Sequence, residues 1–280
     1  MAVIGQRIVR ARIRTLTSKI RGVLRRFRMT MKRAILIALA ILIGLPLLAI
    51  VALFATRETP DGPRVVAEPG VVGVEAGGAY AWIVRTPRAA VLVDAGLDAK
   101  GSAILAELRS EGVEPDEVQA VLVTHGHPDH YAAATLFRKA RVFIGAADVA
   151  MLRGDTTHYA AFGKVMAAVM PLPLGPRVSA ELRGGEQLDF DGARFTVIAT
   201  PGHSPGSVMY LYKDVLFTGD SLMRKRDGVA IAPSLFSENA MENRASLRKL
   251  ESVAFDKIAD GHAGVTLDAK TKLVRLLAGA

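Results

Sequence analysis

Three of the chain's six histidines fall within six positions, His125, His127 and His130 in VLVTHGHPDH, with Asp129 between them and an apolar run directly before. Similar runs lead into His203 in FTVIATPGH, Asp220 in DVLFTGD and His262 in FDKIADGH. Imidazole and carboxylate suit zinc, manganese and iron, and with no cysteine in the chain thiolate is not available as a ligand. A lone His203 or His262 would more often be an ordinary loop histidine; so many donors, each placed after an apolar run, would not. Seven donors are too many for one tetrahedral ion. They divide sensibly between two, with His125, His127 and His203 around one, Asp129, His130 and His262 around the other, and Asp220 bridging. Two cations that share a water lower its pKa and present metal-bound hydroxide to a polarised carbonyl or phosphoryl group. The chemistry expected is therefore hydrolysis without a side-chain nucleophile. His158, the sixth histidine, fits no ligand position and is expected in solvent.

The elements that must position these donors are short β-rich runs alternating with helical stretches. AYAWIVRT and AAVLVDAG flank the turn RTPRA and read as a hairpin, and VQAVLV, RVFIG, RFTVIAT, VMYLYK, VLFTG and FDKIA read as further strands. LDAKGSAILAELRSEG and ENAMENRASLRKLESV have helical patterns, the first stopping at Gly112. Strands interleaved with helices favour a layered α/β domain. If the strands share a sheet edge, the ligand loops converge on one rim. Residues 151–177, rich in Met, Ala and aromatics, lie between the first ligand group and His203. Phe162, Val165, Met166, Val169 and Met170 there have the spacing of an amphipathic helix, a pattern that by itself more often packs on a core than lines a pocket, and the role of the segment stays open.

The net charge of +9 is unevenly spread. Residues 1–33 hold eleven Lys/Arg and no Asp or Glu, so the remainder carries 25 basic against 27 acidic residues. Residues 34–54, AILIALAILIGLPLLAIVALF, are uncharged and apolar, long enough at about 1.5 Å per residue to cross a hydrocarbon core of roughly 30 Å. The basic flank keeps 1–33 in the cytoplasm and places the C-terminal domain outside it. Expected, then, are a basic cytoplasmic arm at 1–33, one transmembrane anchor at 34–54, a Pro- and Gly-punctuated linker at 55–63 and a catalytic domain at 64–280. Translation from Met29 or Met31 would turn the apolar run into a cleaved signal; an uncleaved anchor is the preferred reading. The membrane is thus the expected partner of the N-terminal region, and no nucleic acid is expected.

HGHPDH, together with VLVDAG, TPGHSPGS, LFTGDSL and DGHAG in that order, resembles the metallo-β-lactamase-fold hydrolase superfamily across residues 64–265. The resemblance implies a four-layer αβ/βα sandwich, here preceded by the transmembrane helix, with metals at one edge and the ligand set given above. It also implies that Asp94 hydrogen-bonds and orients a ligating histidine. Zinc β-lactamases of this fold have Cys or Ser where Asp220 stands, so the aspartate points to the glyoxalase II, lactonase and phosphodiesterase-like branches. Glyoxalase II carries a C-terminal glutathione-binding region, whereas only 18 residues follow His262 here. The expected activity is cleavage of a small ester, thioester or lactone, with two zinc ions (iron or manganese being the other candidates) and Asp129 as a catalytic proton shuttle. The alternatives are a mononuclear iron enzyme resembling the persulfide dioxygenases and a phosphodiesterase of the same fold.

Overall fold

The computed structural model describes residues 58–279 except Asp227, and before them only Arg21, Lys32, Arg33, Leu36, Leu39 and Gly44. Apart from the last three positions, the anchor expected at 34–54 lies outside the described residues. Among the described residues no helix is long and apolar enough to cross a membrane.

Residues 58–280 are built on two sheets. The first contains, in spatial as in chain order, β1 (Arg64–Glu68), β2 (Val71–Glu75), β3 (Tyr80–Arg85), β4 (Ala90–Val93), β5 (Val118–Leu122), β6 (Arg141–Gly145) and β7 (Ala180–Leu182). Short turns join β1 to β4, so these strands are antiparallel. From β4 to β7 the strands are parallel and the chain must cross back; between β4 and β5 it does so through the helix Ser102–Ser110. The second sheet begins with β8 (Gln187–Phe190), β9 (Ala193–Ala199), β10 (Val208–Tyr212) and β11 (Val215–Gly219). A separate hairpin, β12 (Met223–Lys225) and β13 (Gly228–Ala230), follows, and the helix Ala240–Leu247 leads back to β14 (Lys257–Asp260) and β15 (Val265–Thr266). The resulting order is β15-β14-β11-β10-β9-β8, with β11 and β14 parallel.

Successive side chains of a strand point to opposite faces, and here both faces are covered. Val91 and Val93 of β4 join Trp82, Leu122, Phe143, Tyr210 and Phe217 between the sheets, while Ala90 and Leu92 pack with Ile104 and Leu108 of the outer helix. On β10, Val208 and Tyr210 face inward and Met209 packs outward with Leu247, Leu250 and Leu273. Helix, sheet, sheet and helix thus stack as the four layers expected, and the predicted hairpin is β3–β4, with Trp82 opposite Val93.

The helix expected in the segment 151–177 forms at Ala161–Val169, but none of its residues is buried, and Val165, Val169, Met170 and Leu174 are exposed. This corrects the core packing expected from its apolar spacing. The outer sheet faces are taken by other helices, and the segment rests instead on loops at the rim. The Phe162 backbone N–H donates to Leu235 O at 3.2 Å, its ring meets Phe236 at 5.0 Å, and the Tyr131 hydroxyl donates to Pro173 O at 3.0 Å.

The described part of the expected linker is a strap tied to the turn between β14 and β15. Asp61 N donates to Ala263 O at 3.1 Å, and the Asp61 carboxylate accepts from Val265 N at 2.9 Å and pairs with Arg224. The Arg224 guanidinium also donates to Thr59 O at 2.7 Å and to Ala263 O at 2.8 Å, and Arg226 N donates to Glu58 Oε1 at 2.8 Å. Asp61→Ala leaves the partly exposed Arg224 to water and Val265 N without its acceptor. The variant should lose about 1 kcal/mol, seen as a lower urea midpoint with an unchanged slope.

Candidate metal centre

Every sequence-predicted donor follows the C-terminal end of a strand. Asp94 follows β4, the His125–His130 loop follows β5, His203 follows β9, Asp220 follows β11 and His262 follows β14. A short helical turn, Pro128–Tyr131, has His127 at its N-cap and itself carries Asp129 and His130. Gly202, at φ 132°, lets the strand-end loop pass the helix Ala240–Leu247; a Cβ there would lie 2.0 Å from Asn243 N. Gly261 leaves room for the donors themselves, since a Cβ there would lie 2.4 Å from Asp220 Oδ1.

Three ring nitrogens converge: His125 Nε2 is 2.9 Å from His127 Nδ1 and 3.1 Å from His203 Nε2, and the last two are 3.0 Å apart. The protons of His125 and His203 can be placed. The Thr124 hydroxyl donates to Asp94 Oδ2 at 2.8 Å, so it accepts from His125 Nδ1–H at 3.1 Å. The Ser237 hydroxyl donates to Ala232 O at 3.2 Å and so accepts from His203 Nδ1–H at 3.4 Å. Neutral imidazole carries one N–H, so the inner nitrogens of His125 and His203 face each other as lone pairs. Such an approach is repulsive without a cation between the pairs, and the donor set fits one.

The second group adjoins the first. His130 Nδ1 donates to Asp94 Oδ2 at 2.8 Å, and its Nε2, buried without a hydrogen-bond partner, lies 3.4 Å from Asp220 Oδ1, which also has none. His262 Nδ1 donates to Gly78 O at 2.7 Å, and its Nε2 is 3.1 Å from Asp220 Oδ2 and 3.6 Å from Asp129 Oδ2. Asp220 Oδ2 is also 3.8 Å from His203 Nε2, so the carboxylate spans both groups. The seven candidate donors lie together, and Asp94 Oδ2 accepts from His130 Nδ1. His158 stands apart, about half exposed and paired with Glu238 at 2.6 Å.

Comparison with known proteins agrees with this geometry. Residues 74–262 match the model of the metallo-β-lactamase superfamily, which is more than half of the chain. The chain belongs to the metallo-β-lactamase superfamily. It is 30% identical over 178 residues to a hydroxyacylglutathione hydrolase of Acidiphilium cryptum, covering 62% of this chain but only 59% of that protein. It is 26% identical over 237 residues to a probable metallo-hydrolase, YflN, of Bacillus subtilis, covering 75% and 89%. The crystal structure of a metallo-β-lactamase family protein from Thermus thermophilus superposes with a TM-score of 0.62 at 24% identity, covering 76% of this chain and 80% of that one.

Within this metallo-β-lactamase framework the role of Asp148 was not foreseen. Asp148, fully buried after β6, accepts from Gly126 N at 2.7 Å and Gly206 N at 2.6 Å and from the Ser204 hydroxyl. It joins the His125–His130 loop to the loop of His203. Thr124, Ser237 and Gly78, which hydrogen-bond the candidate ligand imidazoles His125, His203 and His262, were also missed. Only Thr124 had a signal, its place between the strand and His125.

The two halves differ in protonation. Burial, followed by neighbouring imidazoles, holds His125 well below the usual histidine range and His203 at about 3, so neither carries an extra proton at neutral pH. Burial opposes charging of His130 and His262 as well. For His130 it is outweighed by Asp94, Asp129 and Asp220, which hold it at about 9, and for His262 by Asp220 and Asp129, which hold it at about 10. Ligands must be deprotonated to bind metal. Between pH 6 and 8, filling the His130–His262 half should therefore release a proton from each histidine and tighten by roughly tenfold per pH unit for each proton displaced, whereas His125 and His203 contribute none. Zinc titration by calorimetry in buffers of different ionisation enthalpy reads both quantities; equal proton release at the two halves would contradict the assignment.

Proposed function

We propose that the chain is a metal-dependent hydrolase that cleaves a small ester, thioester or lactone at a dinuclear centre, with zinc in both positions. The observation that carries this reading is Asp220, whose Oδ2 faces His203 and His262 while the otherwise unpartnered Oδ1 faces His130. A mononuclear iron site on His125, His127 and Asp220 would still leave the buried Nε2 of His130 without a partner. The likeness to hydroxyacylglutathione hydrolases favours carboxyl over phosphoryl substrates; the chain spans about three fifths of their length, and their named substrate is theirs.

His125, His127 and His203 would hold one ion, and Asp129, His130 and His262 the other. Two such ions lower the pKa of a shared water and polarise a carbonyl. The chain orients these donors through Thr124, Asp94, Ser237 and Gly78 and keeps His125 and His203 buried from solvent. Asp129 sits at the mouth, its side chain 31% exposed. Burial raises its carboxyl, but His130 and His262 outweigh this and keep it ionised, able to accept a proton and pass it to the leaving group. For the N-terminal region, the uncharged 34–54 run and its basic flank support a single-pass anchor with the catalytic unit outside the cytoplasm. A reporter active only outside the cytoplasm, fused after residue 60, should be active; a cytoplasmic signal would reverse the orientation.

Metal analysis should find two ions per chain, and a panel of lactone, hydroxyacylglutathione thioester and phosphodiester should show turnover of one of the first two. Asp220→Ala removes the bridge and should retain about one metal while turnover falls by roughly a thousandfold or more. Retention of both metals and most of the activity would overturn the dinuclear reading.

A further inference from the structure

The helix Ala161–Val169 turns Phe162 and Gly163 toward the rim, where the Phe162 ring meets Phe236 and Gly163 lies against the Tyr159 ring. Its other side is apolar and open. Val165 and Val169, with Met170 and Leu174 beyond them, are 52–74% exposed, and Lys164 is the single charged residue of 161–174. Leu235 and Met241, also exposed, stand on the neighbouring rim segment, whose Glu238 N donates to His203 O at 3.1 Å. Of the ten large hydrophobic residues exposed within 58–279, these are six. Clustering of that kind marks a surface that meets another apolar phase rather than water.

The chain enters the same rim. β2 runs in the direction of β4, whose end leads to Asp94, and β1 runs against β2, so β1 starts at the rim end of the sheet. Glu75 N accordingly donates to Pro63 O at 2.9 Å and the Tyr80 hydroxyl to Gly62 O at 2.6 Å, while the strap before them is tied to the His262 turn. Only residues 55–57 separate Glu58 from the end of the uncharged run 34–54. Four peptide links span at most about 14 Å, so with that run in a bilayer the rim stays next to the lipid surface.

We infer that the outward face of the helix Ala161–Val169, with Met170 and Leu174, docks on the lipid surface to which the proposed anchor ties the chain. This rests on the anchor reading for the presence of the bilayer; the apolar face and its place on the rim do not depend on it. A helix of this kind lies in the plane of the interface with its apolar residues among the upper acyl chains, and the exposed Lys164 can extend its ammonium to a head-group phosphate. The strap beside His262 and the helix segment beside His127 then meet the bilayer on either side of the candidate metal centre. A partner protein in solution would not require the apolar face and the chain entry to share one rim.

The test uses the full chain reconstituted in phosphatidylcholine–phosphatidylglycerol vesicles whose acyl chains are either plain or brominated. Trp82, the one tryptophan of the chain, is buried between the sheets and supplies a constant background. Val165→Trp places a reporter on the outward face, and Arg88→Trp places one in the β3–β4 turn at the opposite end of the strands. Emission from the reporter at 165 should fall by about half with brominated chains, because an interfacial helix seats its apolar face roughly 5–10 Å into the head-group boundary, and emission from the reporter at 88 should not change. Protein that floats with the vesicles but shows no quenching at 165 overturns the docking and leaves the anchor standing; protein that does not float overturns both. Equal quenching at the two positions means general adsorption and overturns the docking. Blue-shifted emission at 165 without quenching by bromine puts a protein surface, such as a second copy of this chain, on that face and overturns it likewise.

Discussion

The structure is organised around holding unshared electron pairs against one another. His125 Nε2, His127 Nδ1 and His203 Nε2 meet within about 3 Å, and for His125 and His203 the outward N–H is committed to Thr124 and Ser237. Bringing such groups together without a cation is unfavourable, and His125 and His203 must also be buried. What offsets this is the rigidity of the loops that present them. The Asp148 carboxylate gathers Gly126, Ser204 and Gly206 from two of these loops, and burial in the apolar surroundings raises its own pKa while those donors oppose the rise.

The four layers supply the rest of that rigidity. Because β4 and β10 are covered on both faces, neither can shift register without moving side chains in two cores at once. The loops that carry the candidate ligands leave strand ends that are pinned in this way, so their positions are set by packing several residues away from the candidate metal centre. Asp94 joins the two levels. It follows β4, accepts from Thr124 N at 2.7 Å and orients His130.

The site was largely legible in the sequence because metal chemistry restricts residue type, and strand ends restrict where such residues fall. Val91 to Val93 and Val121 to Val123 read as buried strands because burial on two faces demands unbroken apolar runs. Asp148 was not legible, since its partners Gly126 and Gly206 are 22 and 58 residues away and use backbone N–H groups, which no residue type announces. Arg224 and Asp61 were hidden for the same reason, being 163 residues apart. Pro and Gly at 60–63 mark only the lack of a regular element and say nothing of what the segment touches. The helix Ala161–Val169 was visible as a helix, but its spacing carried no information on whether another layer was left to cover it.

The strap at 58–62 has a mechanical consequence. Its hydrogen bonds reach Ala263 and Val265, immediately beyond His262, and Arg224 also donates through its backbone N–H to Asp260 Oδ2 at 2.9 Å. Asp260 Oδ1 in turn accepts from His262 N at 2.8 Å. A displacement of Glu58 to Gly62 is therefore resisted by the bonds that shape the His262 turn. The strap and the candidate ligand His262 thus share one set of hydrogen bonds, and strain in residues 58–62 reaches that turn together with the β14–β15 edge of the second sheet.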